Sequence, residues 1–411
     1  MTKQVLIRFL VCAALLVLLI VGFNCVRGMA DWDFGSVDST NWIAALQETP
    51  TGNQVVVFLP DGEVRGVPDH EQGERDSKPS WRPDGNRIFF SSNRGEEAFN
   101  IYRWNLSNNR VERRSTGSRA KGVPSFGFPA SPDANDLALI TTGGFVMEFE
   151  PSTGSIRQIL PPVPRSPAAT ATSDEDGGGA VGQFDQLYNQ FGNTFKEARW
   201  NDNKTVVYAV MARDNEDVLI VQNVVDSNAP PMPIAAGDRI DFDVSPVDGS
   251  LIFAVRNFRF PLLELVPEQF IVDNRVVVPF RNALAILNPK QNEPFKLVAA
   301  SENDEVAFAS PAISPDGKSV VVVVGEAGDD FAFTPQALVL LPATELAAPQ
   351  AQPLLEGSVY EPAWSPDGTR IVFALAEGAN RNIYTISSSG TNRRKVSPDG
   401  VFSFPSFSPQ R

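Results

Sequence analysis

Histidine is nearly absent from this chain. His70 is the one imidazole in 411 residues, which excludes histidine-rich metal catalysis and leaves a Ser-His-Asp triad a single possible base. It lies in a polar stretch, Asp69-His70-Glu71-Gln72, that reads as a solvated loop. Cysteine is scarce as well: Cys12 and Cys25 both stand near the start, so the remainder can form neither an internal disulfide nor a cysteine zinc site. No Gly-x-Ser-x-Gly pentapeptide occurs, which removes the nucleophile elbow of an α/β-hydrolase domain. Gly177-Gly-Gly179 sits in acidic, low-complexity sequence and not between a strand and a helix, so it is no phosphate loop. Positive charge is in deficit too. With 35 Lys and Arg against 49 Asp and Glu, the net charge of −14 repels a nucleic-acid backbone.

One long hydrophobic run is present. Val5 to Phe23 is apolar except for Arg8, and Lys3 and Arg8 precede the uncharged stretch that begins at Phe9. Leu, Val and Ile on every face argue against a core helix and for a segment in lipid. Residues 1–30 are therefore expected to be a signal anchor or signal peptide, with the N-terminus in the cytoplasm and residues 31–411 outside it. Gly28 and Ala30 could precede a cleavage point, so both a retained helix and a cleaved leader fit.

What is abundant is Phe (28), Pro (33) and Gly (30), the composition of short strands separated by tight turns. The chain also repeats itself. Lys78-Pro-Ser-Trp81-Arg-Pro83-Asp84-Gly85, Ser310-Pro-Ala-Ile313-Ser-Pro315-Asp316-Gly317 and Glu361-Pro-Ala-Trp364-Ser-Pro366-Asp367-Gly368 are three copies of one unit. Weaker copies lie at Pro132-Asp133, at Trp200 to Asn203 and at Pro246 to Gly249, and a last one, Phe404-Pro-Ser-Phe407-Ser-Pro409, runs into the C-terminus. Pro presets φ for the turn and Gly takes its left-handed position. The Trp, Ile or Phe before the turn starts a strand facing the neighbouring unit. Ile88-Phe89-Phe90, Val320 to Val324 and Ile371-Val372-Phe373 form the return strands. A third strand, Asn100 to Arg103, and a polar fourth, Val111 to Arg114, complete a four-stranded antiparallel meander.

Anchors at 83, 132, 202, 246, 315, 366 and 409 are separated by 49, 70, 44, 69, 51 and 43 residues. Four intervals equal the length of one propeller blade, and the two long ones are a blade plus an insertion, at about 161–195 and 256–282. The first insertion is low-complexity. The second is rich in Phe and Leu, so it should pack as an extra hairpin or serve as a binding flap. Residues 41–70 read as strands that lack a first, and the C-terminal copy as a first strand that lacks partners. Their pairing would close a ring and remove an open edge. The expected fold is an all-β propeller of four-stranded blades, seven preferred, with six or eight compatible with the spacing.

The Pro-Asp-Gly turn with an upstream Pro-x-aromatic resembles the WD40-like repeats of the TolB propeller family. It is also similar to propeller domains attached to prolyl-oligopeptidase-type peptidases. The resemblance spans most of residues 40–411 and is strongest at Trp81–Phe90 and Trp364–Phe373. It implies a non-catalytic protein- or peptide-binding scaffold outside the cytoplasm, with a partner in the cell envelope. This chain departs from TolB in leaving no room for the mixed α/β domain that precedes that propeller. The residues require no cofactor. Calcium alone stays compatible, because carboxylates and carbonyls suffice to hold it. Its candidate ligands are the turn acids Asp84, Asp133, Asp248, Asp316 and Asp367, and the loop acids Glu326, Asp329 and Asp330. An acid-lined central channel of that kind would make the alternative function a calcium-dependent propeller hydrolase or lactonase. A turn Asp also bonds its own backbone, which needs no metal.

Overall fold

Continuous apolar runs, whose successive side chains point to opposite faces, dictate the architecture. In the computed structural model, Val320 and Val322 enter one apolar cluster while Val321 and Val323 enter the next. Ile371 and Phe373 face one way, and Val372 and Ala374 the other. A strand buried on both faces must lie between two neighbouring sheets, and Arg87–Ser92 and Leu251–Arg256 are likewise buried along their whole length, whereas outer strands such as Arg110–Arg113 are exposed or half-buried. The structure describes residues 38–409, apart from 96, 118, 127–137, 143, 161–193, 202–204, 214–215, 225–230, 262–265, 267–269, 289–294, 329–331 and 345–347. The expected leader at 1–30 and most of the first insertion therefore lie outside the described residues. Among the described residues there is no α-helix.

Five sheets are four-stranded antiparallel meanders. The first runs Ser80–Trp81, Arg87–Ser92, Asn100–Asn105, Arg110–Arg113, and the next Ser125–Phe126, Ala138–Thr142, Phe145–Glu150, Ser155–Leu160. Then come Thr194–Trp200, Val206–Arg213, Glu216–Asn223, Met232–Gly237, followed by Arg239–Val244, Leu251–Arg256, Asn282–Leu287, Lys296–Ser301. The fifth is Ala307–Ile313, Ser319–Ala327, Phe333–Pro342, Gln352–Glu356. Ile271–Val272 and Arg275–Val276 form a separate two-stranded ribbon, and an eight-stranded sheet holds the remaining strands. One half is Val359–Trp364, Arg370–Glu377, Asn380–Ser387 and Arg394–Lys395. In the other half Val401–Phe407 pairs antiparallel with Ile43–Thr49, which continues to Gly52–Phe58 and Val64–Gly66. The halves meet through the single parallel pair Arg381–Val401.

The tight turns follow from their residues. Gly317 and Gly368 sit at φ 71° and 68°, where a Cβ would be strained. Asp316 accepts the Ser314 hydroxyl at 2.6 Å and the Lys318 N–H at 3.1 Å, and Asp367 does the same with Ser365 and Thr369 at 2.6 and 3.0 Å. The insertion boundaries move inward from those expected. Thr194 and Phe195 already belong to an inner strand, and Arg256 and Asn282 belong to strands too, because sheet pairing extends beyond the apolar runs.

Phe373 is fully buried and stacks on Tyr384 at 6.2 Å. Phe373→Ala should destabilise the protein by about 3–5 kcal/mol, read as a lower urea midpoint at unchanged slope.

Candidate functional site

Each meander leaves the free edge of its first strand facing the first strands of the others, and the repeat supplies devices to hold these edges together. Trp81 donates its indole N–H to the Ser406 carbonyl at 3.2 Å, and Trp364 donates to Ala312 at 3.0 Å. In both cases the acceptor is the residue after the repeat's Pro in the preceding unit. The Trp of these two copies is thus an inter-sheet stitch. Carboxylates cap free N–H groups of the next inner strand. Asp241 Oδ2 accepts Ser310 N–H at 3.1 Å, Asp243 Oδ2 accepts Ile313 N–H at 2.9 Å, and Glu361 accepts Phe404 N–H.

One position of the repeat builds nothing in common. The residue before the first Pro is Lys78, Ser310, Glu361 or Phe404 in successive strong copies. The last three hold positive φ, 48°, 52° and 53°, and the pairing register slips there because the inner strand carries an extra residue. A non-glycine residue in that region costs on the order of 1–3 kcal/mol, and such strain concentrates at binding sites. Phe404 leaves 40% of its surface exposed, and the Lys78 ammonium stands 5.9 Å from its ring centre. The site therefore offers an ammonium, a hydroxyl, a carboxylate and an aromatic ring at one repeated level.

Ion pairs join this level across the inner strands. Lys78 reaches Glu197 at 3.7 Å, although the Ser125–Leu160 meander separates their sheets in the chain. Glu197 also accepts Arg199 at 2.8 Å, and Arg199 goes on to Asp243 and covers the Phe242 ring at 5.5 Å. Arg239 bonds Asp241 at 3.0 Å. Burial pushes the Glu197 carboxyl up, but Lys78 and Arg199 outweigh it and hold the group at about 2. Burial wins at Asp243, against the pull of Arg199, and raises its pKa; it wins again at Glu361, against Arg381, Lys78 and Arg239.

The sequence candidates are placed elsewhere. His70 is not solvated: its side chain is 12% exposed, with Nδ1 3.4 Å from Arg94, 3.5 Å from Asp76 and 3.7 Å from Glu74. Arg94 and Asp76 come from outside the loop, which is why its polar composition misled. Asp84 bonds Asn86 N–H and Arg87, and Asp248 bonds Ser250, so these turn acids serve their own turns. Glu326 is exposed, and Asp133, Asp329 and Asp330 lie outside the described residues. Among the described residues, no three His, Cys, Asp or Glu side chains group as metal ligands would. Sequence reasoning missed Lys78, Ser310, Glu361 and Phe404. The available signal was the one position of the motif that differs in all four strong copies.

No family model matches the sequence, and no curated protein matches it. Among solved structures, TolB from Acinetobacter baumannii is similar with a TM-score of 0.51 at 16% identity, over 91% of this chain and 68% of that one. Puromycin hydrolase is similar with a TM-score of 0.54 at 13% identity, over 89% of this chain and 53% of its own. The chain thus spans about half the length of the hydrolase. The likeness shows the fold, a β-propeller whose meanders are its blades.

The opposite shifts at Glu197 and Glu361 give opposite pH limbs. Glu197 has a lowered pKa, so its contribution is present above the unfolded value of about 4.3 and is lost as pH falls towards 2. Glu197→Gln should cost about 1–2 kcal/mol at pH 6, and the gap from the unsubstituted protein should narrow below about pH 5. Glu361 has a raised pKa, so its contribution is present below the unfolded value and fades as pH rises through the folded one. Glu361→Gln should therefore raise the urea midpoint at pH 8 relative to pH 4.

Proposed function

We propose that the chain is a seven-bladed propeller that binds a protein or peptide partner of the cell envelope on the inner face of its ring. In this reading residues 1–30 anchor or export the domain, so the ring works outside the cytoplasm. Seven blades follow if the eight-stranded sheet is divided at the single Arg381–Val401 pair, and the ring closes through Val401–Phe407 on Ile43–Thr49. The observation that carries the binding role is the set Lys78, Ser310, Glu361 and Phe404. Both prolines recur in all four copies, whereas these four residues differ in charge, polarity and shape, and Ser310, Glu361 and Phe404 stand in strained conformations. Variation at a fixed geometric level can read the side chains of a bound segment, as structural uniformity cannot.

Chemistry points the same way. Asp241, Asp243 and Glu197 are tied to arginines or backbone N–H groups, which leaves them poor ligands for calcium. The hydrolase or lactonase reading gains no comparable support. The test is crosslinking in native cells expressing the full chain with an affinity tag, comparing it with Lys78→Glu/Phe404→Ser. An envelope partner captured by the unsubstituted protein and reduced at least tenfold in the double variant, with matched urea midpoints, is the expected result. Equal capture by both would contradict an inner-face site.

A further inference from the structure

The second insertion builds a surface that the inner-face reading does not use. Ile271–Val272 pairs with Arg275–Val276 through a two-residue turn, Asp273 at φ 49° and Asn274 at φ 62°, the twist-matched type I′ geometry. The ribbon is fixed at its root. Val277 N–H donates to Phe270 at 2.8 Å, and the buried Phe270 ring lies 5.4 Å from Phe260 and 5.9 Å from Phe280. Arg259, from the same insertion, exchanges two backbone bonds of 2.9 and 2.8 Å with Ala236 on the neighbouring blade's outer strand. Beyond that root, Ile271, Val272, Val276 and Val277 are 45, 52, 42 and 48% exposed. Four of the ten large apolar residues exposed among the described residues thus share one ribbon.

Its hydrogen bonding leaves specific groups open. The Val272–Arg275 and Phe270–Val277 pairs turn their N–H and C=O inward, so the intervening Ile271–Val276 pair turns them outward, one couple on each edge. The alternation carries Val278 to the same edge as Val276. Val278 stands at the wall of an open cavity of about 780 Å³ with Phe258 and Phe280, lined also by Arg259, Arg281, Asp238 and Glu302. We propose that this edge receives an extended strand from a second protein, with aliphatic side chains at alternate positions and a carboxylate opposite Arg275. Strand addition supplies backbone bonds at Val276 and Val278, and the neighbouring side chains cover the exposed valines. On a protein of net charge −14 an acidic segment is repelled elsewhere, whereas Arg275 stands exposed on this ribbon; Arg259 and Arg281 are already engaged by Glu216, Asp238 and Asp304. A lipid surface fits worse, because Asp273 and Asn274 at the tip would enter it first. A second copy fits worse as well, since seven exposed residues fall short of the roughly 800 Å² per partner of a stable interface.

The experiment is fluorescence anisotropy on the full chain, using a labelled peptide that alternates valine and threonine and carries one glutamate. Saturable binding is expected, weakened about tenfold by Arg275→Glu and recovered when the peptide's glutamate becomes lysine. Val276→Pro removes the outward N–H while sparing the ribbon's own bonds, and should abolish binding with the urea midpoint unchanged. Phe404→Ser should leave binding intact, which keeps this surface distinguishable from the inner face. The proposal is overturned if no saturable binding is seen or if Arg275→Glu and Val276→Pro both bind as before. Ribbon-dependent sedimentation with phosphatidylcholine vesicles containing phosphatidylserine, in place of peptide binding, would overturn it too.

Discussion

A four-stranded meander has two open edges, and unpaired backbone groups at the crowded inner one are what this fold must satisfy. Neighbouring blades solve the problem for each other. Indoles of Trp81 and Trp364 bond carbonyls of the preceding inner strand, while Asp241, Asp243 and Glu361 accept N–H groups of the following one. Where the chain ends, the same demand falls on a strand from the other terminus, Ile43–Thr49 against Val401–Phe407. Each of these bonds contributes about 1 kcal/mol net, but leaving a partner buried and unmade costs more, so the arrangement is cooperative.

The inner site grows out of that arrangement. The extra residue that slips the register before Pro311, Pro362 and Pro405 is free of the pairing and is left to present chemistry. Strain at Ser310, Glu361 and Phe404 persists because the stitched strands on either side fix the backbone. Rigid framework and variable presentation thus occur in one tetrapeptide, with no mobile loop required.

Blade construction was legible in the sequence because its signals are local. Pro, Asp and Gly define turns within a few residues, and the continuous apolar runs Val320 to Val324 and Ile371 to Phe373 define strands buried on both faces. The pairing of the two termini was also readable, since each lacked what the other had. The candidate site was not. Lys78 meets Glu197, and Arg199 meets Asp243, between strands far apart in the chain, which local patterns cannot encode. Likeness between copies drew attention to the Trp and the turn, and away from the position that differs in every strong copy. His70 was misread for a related reason: its surroundings are set by Arg94 and Asp76, not by the loop it belongs to.

The most direct test of the account is the urea unfolding of a chain ending at Gly400, followed by tryptophan fluorescence beside the full-length protein. If the last strand closes the ring, its loss exposes the inner edge of Ile43–Thr49 and the partners of Phe402, and the indole of Trp81 loses its acceptor at Ser406. The predicted result is a loss of several kcal/mol with a broadened transition, because blades no longer bounded on both sides unfold separately. An unchanged midpoint and slope would contradict the closed ring, and with it the inner face on which the proposed binding depends.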